Sequence, residues 1–276
     1  MLARRILLLC AVVLLSGPSF SFAQDAKGPA FASKGLKGAP TKAAPATCDA
    51  PAKDPALWDK NGTVGFNYTS GNSNVTGLNL NPQASRDFEG EAWRLEAEYN
   101  YGNASDGPNT PRETTKNNFR TWVEYKHTVD DSLYVGSNTN FAWDQIADLN
   151  YRVVLNPVSV GSYVVKDDEK TISVDVGPAY VWENIGGETN DFAAARFANR
   201  LEWAISSTAS FFQGAEYVIS FEDSSNYIFN AEAGLQTAIT SSVDLLLLVR
   251  DYYLNKPAPD RNPNDVMTIT GLKMKF

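Results

Sequence analysis

From Trp58 onward, apolar and polar residues alternate along the chain with a period of two. In Trp93-Arg-Leu-Glu-Ala-Glu-Tyr-Asn-Tyr101, Trp93, Leu95, Ala97, Tyr99 and Tyr101 fall on one face, while Arg94, Glu96, Glu98 and Asn100 fall on the other. Successive side chains of a strand point to opposite faces, so this pattern predicts a strand with one apolar and one polar side. The same alternation recurs at 119–125, 172–177 and 197–203. No stretch carries the 3.6-residue period of a helix. Turn residues divide the region into strands at 61–70, 75–86, 91–102, 116–128, 132–146, 150–166, 170–183, 192–206, 208–221, 227–239, 242–255 and 265–276.

The last of these strands names the environment. Phe276, Met274, Leu272, Thr270 and Thr268 share one face, and Lys275, Lys273 and Gly271 share the other. An apolar outer face, a polar inner face and an aromatic at the rim fit the wall of a transmembrane β-barrel. Beyond the N-terminal region the longest apolar run is Leu245 to Val249, far short of the ~20 residues of a membrane-spanning helix. An even strand number places both termini on one side, where turns are short, with longer loops on the other side. The connections obey this parity. Asp87-Phe-Glu-Gly90, Val129-Asp-Asp131, Asp167-Asp-Glu169, Ser206-Ser207 and Thr240-Ser241 are short, whereas 103–115, 184–191 and 256–264 read as long loops. The expected fold is therefore all-β, a membrane-spanning antiparallel up-and-down barrel of about 12 strands over residues 57–276. A soluble exported protein of two sheets would alternate too, but its chain would need neither the loop parity nor the terminal Phe276.

The N-terminal region changes the picture in one respect, which is address. Arg4 and Arg5, the apolar run Ile6 to Leu15 and the small-x-small site Ser21-Phe-Ala23 read as a secretory signal over 1–23. Residues 24–56 are rich in Ala, Pro, Lys and Gly without periodicity, as expected of a disordered linker. Removing Arg4 and Arg5 takes the 24 basic residues to 22 against 32 acidic ones, a net charge of about −10. Such a chain is a poor nucleic-acid binder. Cys48 is the only cysteine left after processing, so no internal disulfide is expected.

Gly71-Asn72-Ser73 after Trp58 and Gly65, Asp148 with Tyr151-Arg152, Gly177 with Tyr180, and Pro257 through Asp265 to Gly271-Leu272 and Phe276 form an ordered set of landmarks. In this order the chain resembles the YdiY-like salt-induced outer membrane proteins, a domain-of-unknown-function family, over about residues 58–276. The resemblance implies an outer-membrane barrel in an osmotic or salt-related setting, with no established substrate and no catalytic residues to carry over. The terminal strand resembles the signature by which outer-membrane proteins are recognised, so the barrel assembly machinery is an expected partner through Phe276. Outer-membrane lipid and lipopolysaccharide are expected around the wall.

If the apolar faces meet lipid, the lumen receives Arg94, Glu96, Glu98, Arg120, Glu124, Arg152, Arg196, Arg200 and Glu202 as candidate binding residues. Lys126, Asp175, Glu183, Glu216, Glu232, Arg250, Lys273 and Lys275 would join them. Two readings stay open. Mixed charges brace a lumen by pairing, or they set the selectivity of a pore for small polar solutes. Val243 to Leu254 carries a further ambiguity, because Leu246 and Leu248 share a face with Arg250. Either a bulge changes the phase there, or the lumen holds an apolar patch, whether for packing or for a hydrophobic ligand. Catalysis is not expected. The sole histidine, His127, falls beside the short turn at the terminal rim, and one histidine with one linker cysteine cannot furnish a zinc site. No cofactor is expected.

Overall fold

The computed structural model describes residues 58–69, 74–106 and 110–276. The signal at 1–23, the linker at 24–56 and the first hairpin turn at Gly71-Asn72-Ser73 lie outside the described residues. Twelve strands follow one another in chain order: β1 (Asp59–Thr69), β2 (Asn74–Phe88), β3 (Glu91–Ser105), β4 (Glu113–Thr128), β5 (Leu133–Asp144), β6 (Leu149–Lys166), β7 (Lys170–Ile185), β8 (Glu188–Ala204), β9 (Ala209–Ser220), β10 (Tyr227–Ala238), β11 (Val243–Leu254) and β12 (Asn264–Lys275). Each pairs antiparallel with its neighbour in sequence, and β12 closes the ring on β1 from Asn61↔Lys275 to Gly65↔Gly271. The closing seam is short, five residue pairs, but it joins the two terminal strands into one ring.

Alternation along each strand sorts the side chains as the sequence requires. Val64, Phe66, Leu80, Leu95, Val123 and Leu247 stand exposed on the outer face, while Thr63, Asn79, Asn81, Glu98, Asn118 and Arg250 are buried inside. Aromatics gather outside at two heights. Trp93 and Tyr125 pack 4.7 Å apart at the end that holds the termini. Tyr180 and Trp182 at 4.6 Å, and Tyr217, Tyr227 and Tyr253 at 5.3 and 5.7 Å, do so toward the far end.

One expected loop is a tight turn instead. The segment 184–191 reads as a long far-end connection, but β7 runs to Ile185 and β8 begins at Glu188. Gly186 and Gly187 hold φ of +61° and +83°. Two successive positive φ values make a two-residue hairpin turn whose twist matches the flanking strands, and glycine adopts them without steric cost. Parity survives in the two longest fully described connections, 221–226 and 255–263, which both lie at the far end.

The β11 ambiguity resolves toward an apolar patch. Its registers with β10 and β12 run without a break, so Leu246 and Leu248 do point inward, where they are buried with Ile269 against Phe212 and Met267. The register breaks fall elsewhere, between Gly102 and Asn103 in the β3–β4 pairing and within the β5–β6 and β6–β7 pairings. Between Leu155 and Val160 the β6–β7 pairing shifts, and the buried positions change from Arg152, Val154 and Asn156 to Ser159 and Gly161.

Gly161 shows why that phase change is held. The ring of Tyr134, fully buried on β5, occupies the space over its Cα; a Cβ placed there would lie 2.1 Å from the ring. The Tyr134 hydroxyl donates to Asp175 Oδ2 at 3.1 Å, anchoring β5 to β7 across β6. Gly161→Val is therefore expected to expel the ring and destabilise the folded barrel by about 1–3 kcal/mol. The check is a urea refolding titration read by the heat-modifiable mobility of the barrel; an unchanged midpoint would refute the packing role.

Candidate functional site

The lumen is the one place where the sequence concentrates charge, and alternation on β3, β4 and β6 to β8 delivers every candidate into it. At its centre the buried guanidinium of Arg250, from β11, meets three carboxylates. Nη2 lies 2.5 Å from Glu96 Oε1, Nε lies 3.1 Å from Glu232 Oε2, and Nη1 contacts the fully buried Glu98. Glu96 and Glu98 stand on β3, four strands away around the ring. This cluster therefore spans the lumen rather than following one wall.

A second guanidinium, Arg196 on β8, bridges its two neighbouring strands. Nη1 lies 2.5 Å from Asp175 Oδ1 on β7, and Nε lies 2.6 Å from Glu216 Oε2 on β9. Glu216 also accepts from Asn140 of β5 at 3.0 Å, a second tie across the interior. Arg152 pairs with Glu183 at 2.7 Å. Arg120 lies 3.7 Å from Asp144 and stacks over the Tyr252 ring at 3.7 Å. On the other wall an amide ladder runs across four strands at one height. Asn79 donates to Asn100 at 2.7 Å, Asn100 to Asn118 at 2.9 Å, and Asn118 to Asp144 at 3.0 Å.

Nearer the termini the pairs open onto a cavity of about 670 Å³. Arg94 of β3 reaches Glu202 of β8 at 3.0 Å, and Arg200 shares the same carboxylate oxygen at 2.7 Å. Glu124 pairs with Lys126 at 3.2 Å. Trp122, Phe212, Leu246 and Leu248 give the cavity apolar walls, and Asp87, Asp167 and Asp168 stand at its mouth. Its inner end is Asp175, Arg196, Glu216, Arg250 and Tyr252. The cavity is a blind well.

Beyond that layer the interior is packed around a small cavity of about 30 Å³ lined by Arg120, Trp122, Arg152, Val218 and Tyr252. Val154, Ala179, Val181, Phe192, Ala194, Val218 and Ile228 point inward and pack as one buried cluster, with Leu254 against it. Over the far mouth the β11–β12 connection folds inward. Ala258 is buried, and Ala258 and Pro259 lie beside Gly186 of the β7–β8 turn. Asn255 donates to Ser225 O at 2.7 Å, and Lys256 pairs with Asp223, tying this strap to the β9–β10 connection. The hydrogen bond from the Lys256 ammonium holds the Asp223 carboxyl down at about 2, so this tie stays ionised until strongly acid conditions.

All nine candidate charges thus line the lumen, in separate groups. Arg94, Arg200, Glu202 and Glu124 face the well; Glu96, Glu98 and Arg196 form the central layer; Arg120 and Arg152 sit farther toward the closed end. Trp122 and Tyr134 were not among the candidates. The signal for Trp122 was present, because it shares the inner face of β4 with Arg120 and Glu124. His127 is exposed near the terminal rim, paired in register with Glu91 and Val135.

A family model described as "Protein of unknown function, DUF481" matches residues 62–276. No curated protein matches the chain. Among solved structures, the chain is similar to the NanC porin, with 13% identity, 80% of this chain and 98% of that one covered, and a TM-score of 0.43. It is also similar to an outer membrane channel from Pseudomonas putida F1, with 8% identity, 80% and 96% covered, and a TM-score of 0.46.

Arg250 and Arg94 make opposite predictions. Arg250 is 5% exposed at its side chain and Arg94 35%. Arg250→Met leaves buried carboxylates without their cation and is expected to cost about 3–5 kcal/mol of folding stability. Arg94→Met, at the well surface, is expected to cost about 0–1 kcal/mol. Refolding midpoints of the two variants in urea check the difference, and equal losses would show that the central layer has no special weight.

Proposed function

The chain belongs to the DUF481 family of proteins of unknown function, and from that premise we propose that it is a barrel of the bacterial outer membrane with both termini in the periplasm. On this reading a signal at 1–23 directs export, and a linker at 24–56 precedes the barrel. Its role is to support envelope integrity as a braced, non-conducting element, in the salt or osmotic setting that the family resemblance implies. No catalytic step is proposed.

Two lines of argument support the membrane placement. The outer face presents exposed Val64, Leu80, Leu95, Val123, Leu245 and Leu247 between two sets of aromatics, while the inner face holds the paired charges and amides along with two buried apolar clusters. In water an apolar belt of this kind would drive association, whereas in a bilayer it is the solvated surface. Phe276, 80% exposed, stands at the rim of β12 with its N–H donating to Lys60 O at 3.0 Å. That leaves the ring free for the assembly machinery and for lipid, lipopolysaccharide included.

The single observation that carries the non-conducting reading is the filled far half of the lumen. Buried apolar side chains from β6 to β10 close it, and the 255–263 strap covers them. Passage of a small polar solute would require the whole cluster and the strap to move. The inner patch of Leu246, Leu248 and Ile269 is already covered by Phe212 and Met267, which supports packing over capture of a hydrophobic ligand.

The refolded full chain in a planar bilayer is expected to remain electrically silent. In a Cys48→Ser background, Ala198→Cys, which lines the well, should react with a membrane-impermeant maleimide from the periplasmic side alone. Discrete conductance steps, or labelling from the outer side, would sink the closed-barrel reading and favour selective passage.

A further inference from the structure

One hydrogen bond lies on the wrong side of the wall. Asn199 on β8 and Gln213 on β9 alternate with the inward-facing Arg200 and Phe212, so both point outward, and Asn199 Nδ2 donates to Gln213 Oε1 at 3.0 Å. They stand between the Trp203↔Phe211 and Phe197↔Tyr217 rungs, within the belt that the membrane reading assigns to hydrocarbon. Each amide has one bond among the described residues and keeps further capacity: a carbonyl oxygen on Asn199 and both N–H groups on Gln213. Lipid tails cannot satisfy these groups.

Toward β10 the surroundings are small, while Val174 and Leu201 stand in register with the two amides on the other side. In register with Asn199 are Ala215 on β9 and, beyond it, Ala231 on β10; Ala233 lies opposite Gln213. The next position in that line is Asp251, which also points outward and whose Oδ1 has no hydrogen-bond partner. The β8–β11 face thus combines low relief, which lets another wall approach closely, with donors and acceptors that need partners.

We propose that this face is a homodimer interface in the membrane, its occupant a second copy of the same chain. The choice follows from the chemistry of the groups. Primary amides are self-complementary, each offering a donor and an acceptor, and a two-fold axis presents every group on the patch to the same patch of the partner. A lipid could cover the alanines, but its acyl chains would leave all of these groups unpaired. The proposal rests on the membrane placement and goes beyond it, since a braced barrel has no need of a partner.

The test uses the full chain in native outer membranes. In a Cys48→Ser background, Ala215→Cys should cross-link into a covalent dimer under mild oxidation. The purified unmodified chain should sediment as a dimer in a mild detergent. Asn199→Leu with Gln213→Leu should remove both signals, raising the dimer dissociation constant about tenfold or more. Leucine on a lipid-facing position suits the wall, and heat-modifiable mobility confirms that the variant barrel is folded. A folded, membrane-embedded chain that is monomeric before substitution, with or without bound lipid, overturns the dimer and leaves the membrane reading intact. A dimer unaffected by the double substitution overturns it as well. Recovery of the chain in the soluble periplasmic fraction overturns both.

Discussion

The structure depends on one constraint: a closed wall with an apolar outside must settle nearly all of its charge within its own lumen, with Asp251 an outward exception. Alternation leaves no choice of side, because a residue that avoids the outer face is inside. Charges brought inside a narrow, partly dry lumen are tolerated when they are paired and hydrogen-bonded. In this barrel the nearest opposite charge is often across the interior rather than on the adjacent strand. Arg94 reaches Glu202 over an interval of 108 residues, and Arg250 reaches Glu96 over 154. Lys116 on β4 does the same with Asp265 on β12. Pairing thus becomes bracing, since each cross-lumen bond fixes the distance between walls that no backbone ladder connects.

The same constraint explains why the lumen is closed on one side only. Near the termini the inward positions of β8 and β9 include Ala198 and Gly214, whose small size leaves room for water around Arg94, Arg200 and Glu202. Toward the far end the inward positions of the neighbouring strands are Val154, Val181, Phe192, Val218 and Ile228. These side chains, from five adjacent strands, pack against one another as one buried cluster and exclude water. Arg250 and Arg196 lie at the border, where pairing must be most complete, and each of them has more than one carboxylate.

Much of this was legible in the sequence, for a physical reason. A period of two is a local property, so strand existence, inner and outer faces and the lumen position of all nine candidate charges follow from the chain without knowledge of its partners. Stagger around the ring is not local. The sequence says that Arg250 and Glu98 are both inside, but not that they share a height, because that depends on the accumulated register of the strands between them. The 184–191 connection failed for a different reason. Polar, glycine-containing stretches look alike whether they form a loop or the ends of two strands, and only the paired positive φ of Gly186 and Gly187 separates the cases. The β6 phase change has a signal in Pro157, because proline inside a closed sheet marks a bulge; its counterpart, Tyr134 filling the space over Gly161, is visible only in three dimensions.

Outer-face residues obey a weaker rule, and that weakness is informative. Inside, a polar residue is required to find a partner within the same chain, and the lumen supplies one at nearly every height. Outside, the chain itself supplies only what adjacent strands can reach, as Asn199 does with Gln213. On the membrane reading, any remaining donor or acceptor is met by something else in the membrane plane. A wall facing only acyl chains would have Leu or Val at those two positions, as it does at Val174 and Leu201 beside them. On the same reading, the amides mark where internal pairing ends and the proposed contact with a second copy would begin.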